Sequence, residues 1–165
     1  MLSVSKIAPC LWFDDQAEDA AKFYTGIFKN SRIVTVSHYP KVGFEVHHRP
    51  AGSVLTVLFE LEGQSFTALN GGPQFKFNEA ISLQVSCATQ EEIDYYWNAL
   101  GKGGDAKAQQ CGWLKDKFGV SWQVVPASLA EMIADPDPAK SARVFTAIMP
   151  MKKMDLAALK RAYAG

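Results

Sequence analysis

Gly63-Gln64-Ser65-Phe66-Thr67-Ala68-Leu69 and Gly119-Val120-Ser121-Trp122-Gln123-Val124-Val125 are the two stretches that decide the fold. In each, a glycine and one spacer residue are followed by serine, an aromatic residue, a polar residue and two apolar residues. This alternation predicts a half-buried strand. Each stretch closes a run that begins with an apolar strand and an amphipathic helix. The chain therefore contains an internal repeat, and the repeat decides its architecture.

The same order of elements is predicted twice along the chain. Period-two alternation predicts strands, in the first unit at 6–13, 32–37, 53–60 and 64–69, and in the second at 81–87, 108–111, 113–115 and 120–125. Helical spacing of apolar residues predicts helices at 16–28 and 89–100. We expect Asp14 and Asp15 to cap the first helix, and Thr89 with Glu92 to form a capping box on the second. The prediction is an α+β fold of two tandem βαβββ modules.

Breaks in the pattern predict the limits of these modules. Asn70-Gly71-Gly72-Pro73 is the strongest break, so we place the first module at 1–72 and the second at 73–126. A long loop is predicted at 38–52. Residues 127–165 form a helical extension without a counterpart in the repeat. Its amphipathic segment at 152–163 must cover an apolar surface, which belongs either to its own sheet or to a partner chain.

Composition excludes several classes of protein. The chain has 165 residues, of which 48% are apolar, and its 17 basic residues balance 17 acidic ones. Without a block of like charge, neither nucleic acid nor a membrane surface is an expected partner. We also expect no signal peptide and no membrane span. The three cysteines form no CxxC pair, which favours reduced thiols and a cytoplasmic location. The near-zero net charge favours self-association as a homodimer.

The repeat and several motifs resemble the glyoxalase/bleomycin-resistance/dioxygenase superfamily, also called vicinal oxygen chelate. Within it, the chain is most similar to the PhnB-like branch, often labelled 3-demethylubiquinone 3-methyltransferase-like. The motifs that carry the resemblance are Pro9-Cys10-Leu11-Trp12-Phe13-Asp14, Ala17, Ala20, Phe23-Tyr24, Ala68-Leu69-Asn70-Gly71-Gly72-Pro73, Gln110-Cys111-Gly112-Trp113-Leu114-Lys115-Asp116, the stretch from Gly119 to Pro126, and Met151-Lys152-Lys153-Met154-Asp155. The resemblance implies two modules that pair their curved sheets around a cleft.

The resemblance also implies where a metal would bind. Metal-dependent members hold a divalent ion with His or Gln on the first strand of each module and a carboxylate on the last. The corresponding positions here are Ala8 and Ala80 on the first strands, and Thr67 and Gln123 on the last. A divalent cation needs several oxygen or imidazole ligands, some of them anionic. We therefore expect no metal and no other cofactor.

The methyltransferase label lacks its own motif in this chain. A methyl donor bound by a Rossmann-type enzyme requires a glycine-rich turn after the first strand, and residues 9–15 contain no glycine.

Strand alternation predicts which side chains line the implied cleft. If Phe66, Ala68, Trp122 and Val124 face the helices, the intervening polar residues face the cleft. Together with aromatic and thiol candidates, the expected ligand-binding residues are Trp12, Thr67, Ser82, Gln84, Cys111, Trp113, Ser121 and Gln123. Small hydroxyl and amide groups opposite apolar ones suit an amphiphilic small molecule.

Three functions are compatible with these residues. The first is a metal-independent protein that binds a small molecule. The second is an enzyme of the same superfamily, acting on a small oxygenated or aromatic molecule either through a metal or through Cys111 as nucleophile. The third is a dimeric interaction module that uses its C-terminal helix. His47 and His48 are adjacent on the predicted loop, and we interpret them as solvated rather than as a metal site.

Overall fold

The computed structural model describes residues 5–165, which form two compact units that divide between Phe77 and Asn78. Each unit combines one small sheet with helices, which confirms the predicted α+β class. The C-terminal helices belong to the second unit. None of the helices in this part of the chain combines the length and the apolar character needed to cross a lipid bilayer.

Unit 1 is a four-stranded sheet with one long helix against it. Its elements are β1 (Cys10–Phe13), α1 (Ala17–Ile27), β2 (Arg32–His38), α2 (Phe44–His47), β3 (Val54–Leu61) and β4 (Gln64–Asn70). The strand order is β1-β4-β3-β2, with β1 parallel to β4 and the other neighbours antiparallel. The first strand begins later than predicted, at Cys10. The short helix α2 lies within the predicted loop.

The core of unit 1 lies between α1 and the sheet. Ala17, Ala20 and Ala21 are fully buried, and their small side chains let the helix approach β3 and β4 closely. The ring of Tyr24 stacks on Phe59 at 6.2 Å between centroids, and Phe59 stacks on Phe66 at 5.4 Å. Apolar burial and aromatic packing thus fix the helix on one face of the sheet.

Asn70, at the end of β4, positions the beginning of α1. Its side chain is almost fully buried, since the residue is 4% exposed. The amide oxygen Oδ1 accepts a hydrogen bond from the backbone N–H of Ala17 at 2.8 Å. The amide nitrogen Nδ2 donates to the carbonyl of Val54 at 3.1 Å, and the hydroxyl of Tyr39 donates to the carbonyl of Asn70 at 2.6 Å. One residue therefore joins the helix, β3, β4 and the loop after β2.

The prediction that Asp14 and Asp15 cap α1 is wrong. Gln16 occupies the N-cap position and makes no side-chain capping bond. The distant amide of Asn70 satisfies the first helical N–H instead, which leaves the carboxylates free for other contacts. Arg49 pairs with the carboxylate of Asp14 at 3.5 Å and also donates to the Asp14 carbonyl.

Unit 2 repeats the arrangement with a smaller sheet and adds three helices. Its elements are β5 (Leu83–Cys87), α3 (Gln90–Gly101), a 3₁₀ turn (Ala106–Ala108), β6 (Trp113–Lys115), β7 (Ser121–Pro126), α4 (Leu129–Ile133), α5 (Pro138–Ile148) and α6 (Leu156–Ala164). The strand order is β5-β7-β6, with β5 parallel and β6 antiparallel to β7. The Thr89 cap is confirmed, because its hydroxyl accepts the N–H of Glu92 at 3.3 Å.

The strand predicted at 108–111 is wrong. The 3₁₀ turn occupies its beginning, and Gln110 makes only an isolated bridge to Trp113. Cys111 and Gly112 have φ angles of 52° and 82°, which is the conformation of a turn and not of an extended chain. The described sheet of unit 2 therefore has three strands, where the predicted module has four.

Asp116 organises the turn from β6 to β7. Its carboxylate accepts bonds from the N–H groups of Phe118 at 2.8 Å and Val120 at 3.1 Å, and from the indole Nε1 of Trp122 at 2.9 Å. The residue is only 2% exposed. The burial of this carboxylate is made possible by its three donors.

The C-terminal extension packs on unit 2 itself. The N–H groups of Cys111 and Gly112 each donate, at 2.8 Å, to the carbonyls of Met151 and Lys152. Gln90 at the beginning of α3 binds the same segment: its Nε2 donates to the carbonyl of Met154 at 3.1 Å, and its Oε1 accepts the N–H of Leu156 at 2.8 Å. The part of the extension from 152 to 163 buries the apolar side chains of Met154, Leu156 and Leu159. Of the two alternatives for this segment, the structure shows packing on its own unit.

We predict that Asn70→Ala lowers the free energy of unfolding by roughly 2–4 kcal/mol, because the Ala17 N–H and the Val54 carbonyl lose their buried partner. Urea denaturation followed by circular dichroism measures this change. Asn98→Ala, on the exposed face of α3, is the matched control and should leave stability within about 0.5 kcal/mol. Equal effects of the two substitutions would contradict the role assigned to Asn70.

Candidate functional site

The sheet face opposite α3 in unit 2 carries most of the predicted ligand-binding residues. On β7, Trp122 and Val124 are buried toward the helix, while Gln123 and Val125 are only partly buried. On β5, Val85 and Cys87 are buried, and Gln84 and Ser86 are exposed. Alternation therefore places amide and hydroxyl groups on the helix-free side. We call Ser82, Gln84, Trp113, Ser121 and Gln123 the polar face.

Register brings three residues of the polar face into one row. Gln123 in the central strand lies directly across from Gln84 on β5 and from Trp113 on β6. The Nε2 of Gln84 donates to the Oε1 of Gln123 at 3.4 Å, and the Nε2 of Gln123 donates to the hydroxyl of Ser82 at 2.8 Å. The amides are therefore held in defined orientations before any ligand arrives.

Ser121 begins the next row of the same face. It lies across from Lys115 on β6, two residues before Gln123 on β7. The residue is 2% exposed, and among residues 5–165 its hydroxyl oxygen has no hydrogen-bond partner. A buried hydroxyl without a partner is uncommon, because the loss of hydration is not compensated.

Lys115 and Glu79 form an ion pair at the edge of this row. Lys115 is partly buried, with a side chain that is 25% exposed, and Glu79 is mostly exposed. The hydrogen bond from Lys115 lowers the pKa of the Glu79 carboxyl below its usual value. Neither residue is among the ligand-binding residues predicted from the sequence. Continued alternation from Trp113 could have placed Lys115 on the polar face, whereas nothing in the pattern identifies Glu79 as its partner.

Trp12 and Thr67 lie on the helix-free face of unit 1. Thr67 pairs with Cys10 on β1 and with Leu58 on β3. The indole Nε1 of Trp12 donates to the carbonyl of Gly72 at 2.9 Å, and Phe75 meets the ring edge-on at 4.9 Å.

Gly71 gives the Trp12 ring its position. A Cβ atom at Gly71 would lie 2.2 Å from the ring, so only glycine permits this close approach. The side chain of Trp12 is therefore a fixed, partly exposed apolar surface.

Cys111 is separate from the polar face. It lies in the turn before β6, where its Sγ is 3.7 Å from the carbonyl of Ile148 and 3.8 Å from that of Met149. The Nε2 of Gln110 lies 3.4 Å from the same sulfur. The thiol thus contacts the C-terminal extension, and the structure does not bring it to Gln84, Gln123 or Ser82.

The donors at the implied metal positions do not fit a divalent cation. On the first strand of each unit, the residues directly across from Thr67 and Gln123 are Cys10 and Gln84. Ala8 and Ala80 lie before these strands and are not their partners. This set supplies no carboxylate and no imidazole, which hard divalent ions require. Throughout residues 5–165, His, Cys, Asp and Glu side chains nowhere gather in threes or more around a possible ion position.

His47 and His48 belong to unit 1, whereas the polar face belongs to unit 2. The Nε2 of His47 is 3.1 Å from the carbonyl of Val42, and its Nδ1 accepts the N–H of Arg49 at 3.0 Å. The two histidines therefore belong to the α2 turn of unit 1.

Two surface hollows occur elsewhere. One of about 320 Å³ lies beside α1 in unit 1, and its walls include Asp15, Arg49 and Asn70. The other, of about 570 Å³, lies beside α6 in unit 2, and its walls include Gln90, Lys153 and Asp155. Neither contains a predicted ligand-binding residue.

Comparisons with known proteins identify relatives of the chain. A family model described as 3-demethylubiquinone-9 3-methyltransferase matches residues 5–125. A PhnB protein from Bacillus cereus is 37% identical, with a TM-score of 0.63 over 74% of this chain and 100% of that chain. Protein PA1353 from Pseudomonas aeruginosa is 19% identical and has a TM-score of 0.51 over 73% and 96% of the respective chains, which shows a shared fold.

A fosfomycin resistance protein, FosX, from Listeria monocytogenes aligns at 18% identity and a TM-score of 0.48, over 79% of this chain and 97% of that chain. The search of curated proteins gives no match.

We predict that two of the three thiols react faster than the third in the folded protein. Cys87 is fully buried, and burial raises the pKa of its thiol to about 11, so it stays protonated and inaccessible at pH 8. Cys10 is exposed and Cys111 is partly exposed. Titration with Ellman's reagent before and after unfolding measures the difference, and Cys10→Ser and Cys111→Ser assign the reactive thiols. Reaction of Cys87 at the rate of the others in the folded protein would contradict the prediction.

Proposed function

The chain belongs to the PhnB-like 3-demethylubiquinone-9 3-methyltransferase family, and from that premise we propose that it is a metal-independent protein that binds a small molecule. The polar face of unit 2 is the proposed binding surface. Its ligand is an amphiphilic molecule that accepts and donates a few directed hydrogen bonds and contacts the aromatic ring of Trp113.

One observation supports this proposal above the others. Gln84, Gln123 and Ser82 are joined by hydrogen bonds along the helix-free face of the sheet. Side chains that already hold each other in place lose little conformational entropy when a ligand binds. A solvated sheet surface needs no such ordering, whereas a selective binding site benefits from it.

The donor set favours binding over metal-dependent chemistry. Within each sheet, the paired side chains at the implied metal positions supply amide, hydroxyl and thiol groups and none of the anionic ligands that a catalytic divalent ion requires. Thiol chemistry is not favoured either, because Cys111 contacts backbone carbonyls away from the polar face. The family name describes a methyltransferase, but the turn between β1 and α1, residues 14–16, has no glycine to approach a cofactor.

We further propose that the protein is a cytoplasmic homodimer. The balance of 17 basic and 17 acidic residues supports self-association, since little charge repulsion opposes it. Three unpaired cysteines support a reducing compartment. Sedimentation velocity tests the first statement, and a purely monomeric species at micromolar concentration would contradict it.

We predict that native mass spectrometry of the purified protein shows a bound small molecule, and that Gln123→Leu weakens its binding about tenfold. The substitution removes both the acceptor for Gln84 and the donor to Ser82, and the loss of one such bond typically costs about 1 kcal/mol or more. Gln64→Leu, at the exposed first residue of β4 in unit 1, is the matched control and should retain the ligand.

The same preparation tests the absence of a metal. Elemental analysis should find no divalent ion at stoichiometric amount. A bound ion at one equivalent would contradict metal independence and favour the enzymatic alternative. Equal ligand loss in the two variants would contradict the polar face as the binding surface.

A further inference from the structure

Ser121, which begins the second row of the polar face, offers a hydrogen-bond donor without a matching acceptor in the described part of the chain. Ser121 is buried, and its hydroxyl has no partner within residues 5–165. Strand alternation directs it to the same side as Gln123. A buried hydroxyl of this kind is stabilised when a bound group supplies the missing hydrogen bond.

Ser82 adds a second donor beside it. Leu83 pairs with Trp122 in the parallel ladder, so Ser82 and Ser121 lie side by side, one step earlier on their strands. The hydroxyl oxygen of Ser82 already accepts the Nε2 of Gln123 at 2.8 Å. Its own proton is therefore free to be donated away from Gln123.

Lys115 supplies positive charge at the other end of the row. It lies across from Ser121, and its ammonium group binds the carboxylate of Glu79. Glu79 is mostly exposed and lies outside the helices and strands, so its carboxylate can exchange with another one at low cost. The contact shows that a carboxylate reaches this ammonium group.

We infer that the polar face recognises a carboxylate on its ligand, with Ser82, Ser121 and Lys115 as the three donors and Glu79 as the internal competitor. This inference rests on the proposed function and names the chemical class of its ligand. Three donors in one row, one of them positively charged, favour the oxygen atoms of an anion over a neutral amide, because hydrogen bonds between charged groups are the stronger ones. The neighbouring Trp113 favours an aromatic acid.

Benzoate and benzamide are the matched probes, because they have the same size and differ in charge. Titration of each into the ¹⁵N-labelled full chain, at constant ionic strength, measures affinity and locates the shifted amides. We expect benzoate to bind about tenfold tighter than benzamide, with shifts at residues 82, 121 and 123, since hydrogen bonds to charged groups are the stronger ones.

Substitutions test each donor. Ser121→Ala and Lys115→Met should each reduce the preference for benzoate to about threefold or less, while Glu79→Gln should increase the affinity for benzoate because it removes the competitor. Ser121→Ala should also keep or raise the urea midpoint, since it removes an unsatisfied buried group. Ser141→Ala on α5 and Lys107→Met in the 3₁₀ turn are controls that should leave the preference unchanged.

The outcomes separate this inference from the proposed function. Equal affinity for the two probes, with shifts on the polar face, overturns the carboxylate preference and leaves small-molecule binding intact. A preference that survives Ser121→Ala and Lys115→Met, or weaker benzoate binding in Glu79→Gln, also overturns it. No shift from either probe, together with no ligand in native mass spectrometry, overturns both.

Discussion

The buried amide of Asn70 is the interaction on which unit 1 depends. It joins the first turn of α1 to the carbonyl of Val54, and its backbone holds the hydroxyl of Tyr39. The helix therefore begins where the sheet ends, because one side chain satisfies groups from both. The packing of Tyr24 on Phe59 follows from that starting point. The position of Trp12 depends on the same corner, since Gly71 directly follows Asn70 and lies under the indole ring.

In unit 2, the charged carboxylate of Asp116 has a role comparable to that of Asn70 in unit 1. The carboxylate of Asp116 accepts hydrogen bonds from two backbone N–H groups and from the indole of Trp122. These bonds connect the turn to the central strand β7. The pairing register of β7 places Gln123 across from Gln84 and Trp113, and Ser121 across from Lys115. The hydrogen-bonded turn before β7 therefore helps to position the polar face. Binding residues gain precision when they stand on elements of this kind.

The pattern of apolar residues predicted the strands and helices whose formation depends on neighbouring residues in the sequence. Strict alternation placed β3 and β4, and helical spacing placed α1 and α3, because apolar periodicity reflects burial directly. The same alternation placed Gln84 and Gln123 on one face. The cap by Asn70 could not be predicted, since its donor Ala17 is 53 positions away. The strand at 108–111 was predicted wrongly because the turn at Cys111 is stabilised by carbonyls of Met151 and Lys152. The pairing of Lys115 with Glu79 depends on the path of an irregular segment, and the burial of Asp116 depends on donors that only the folded turn presents.

The contact between the turn at Cys111 and the carbonyls of Met151 and Lys152 imposes an order on biosynthesis. A nascent chain emerges from its N-terminal side, and unit 1 has all its sheet partners once β4 has been translated. Unit 2 has to wait, because the groups that fix its turn and cover its helix are made after β7 is complete. During translation, unit 2 therefore exposes apolar surface for longer than unit 1, and that surface is available to bind chaperones.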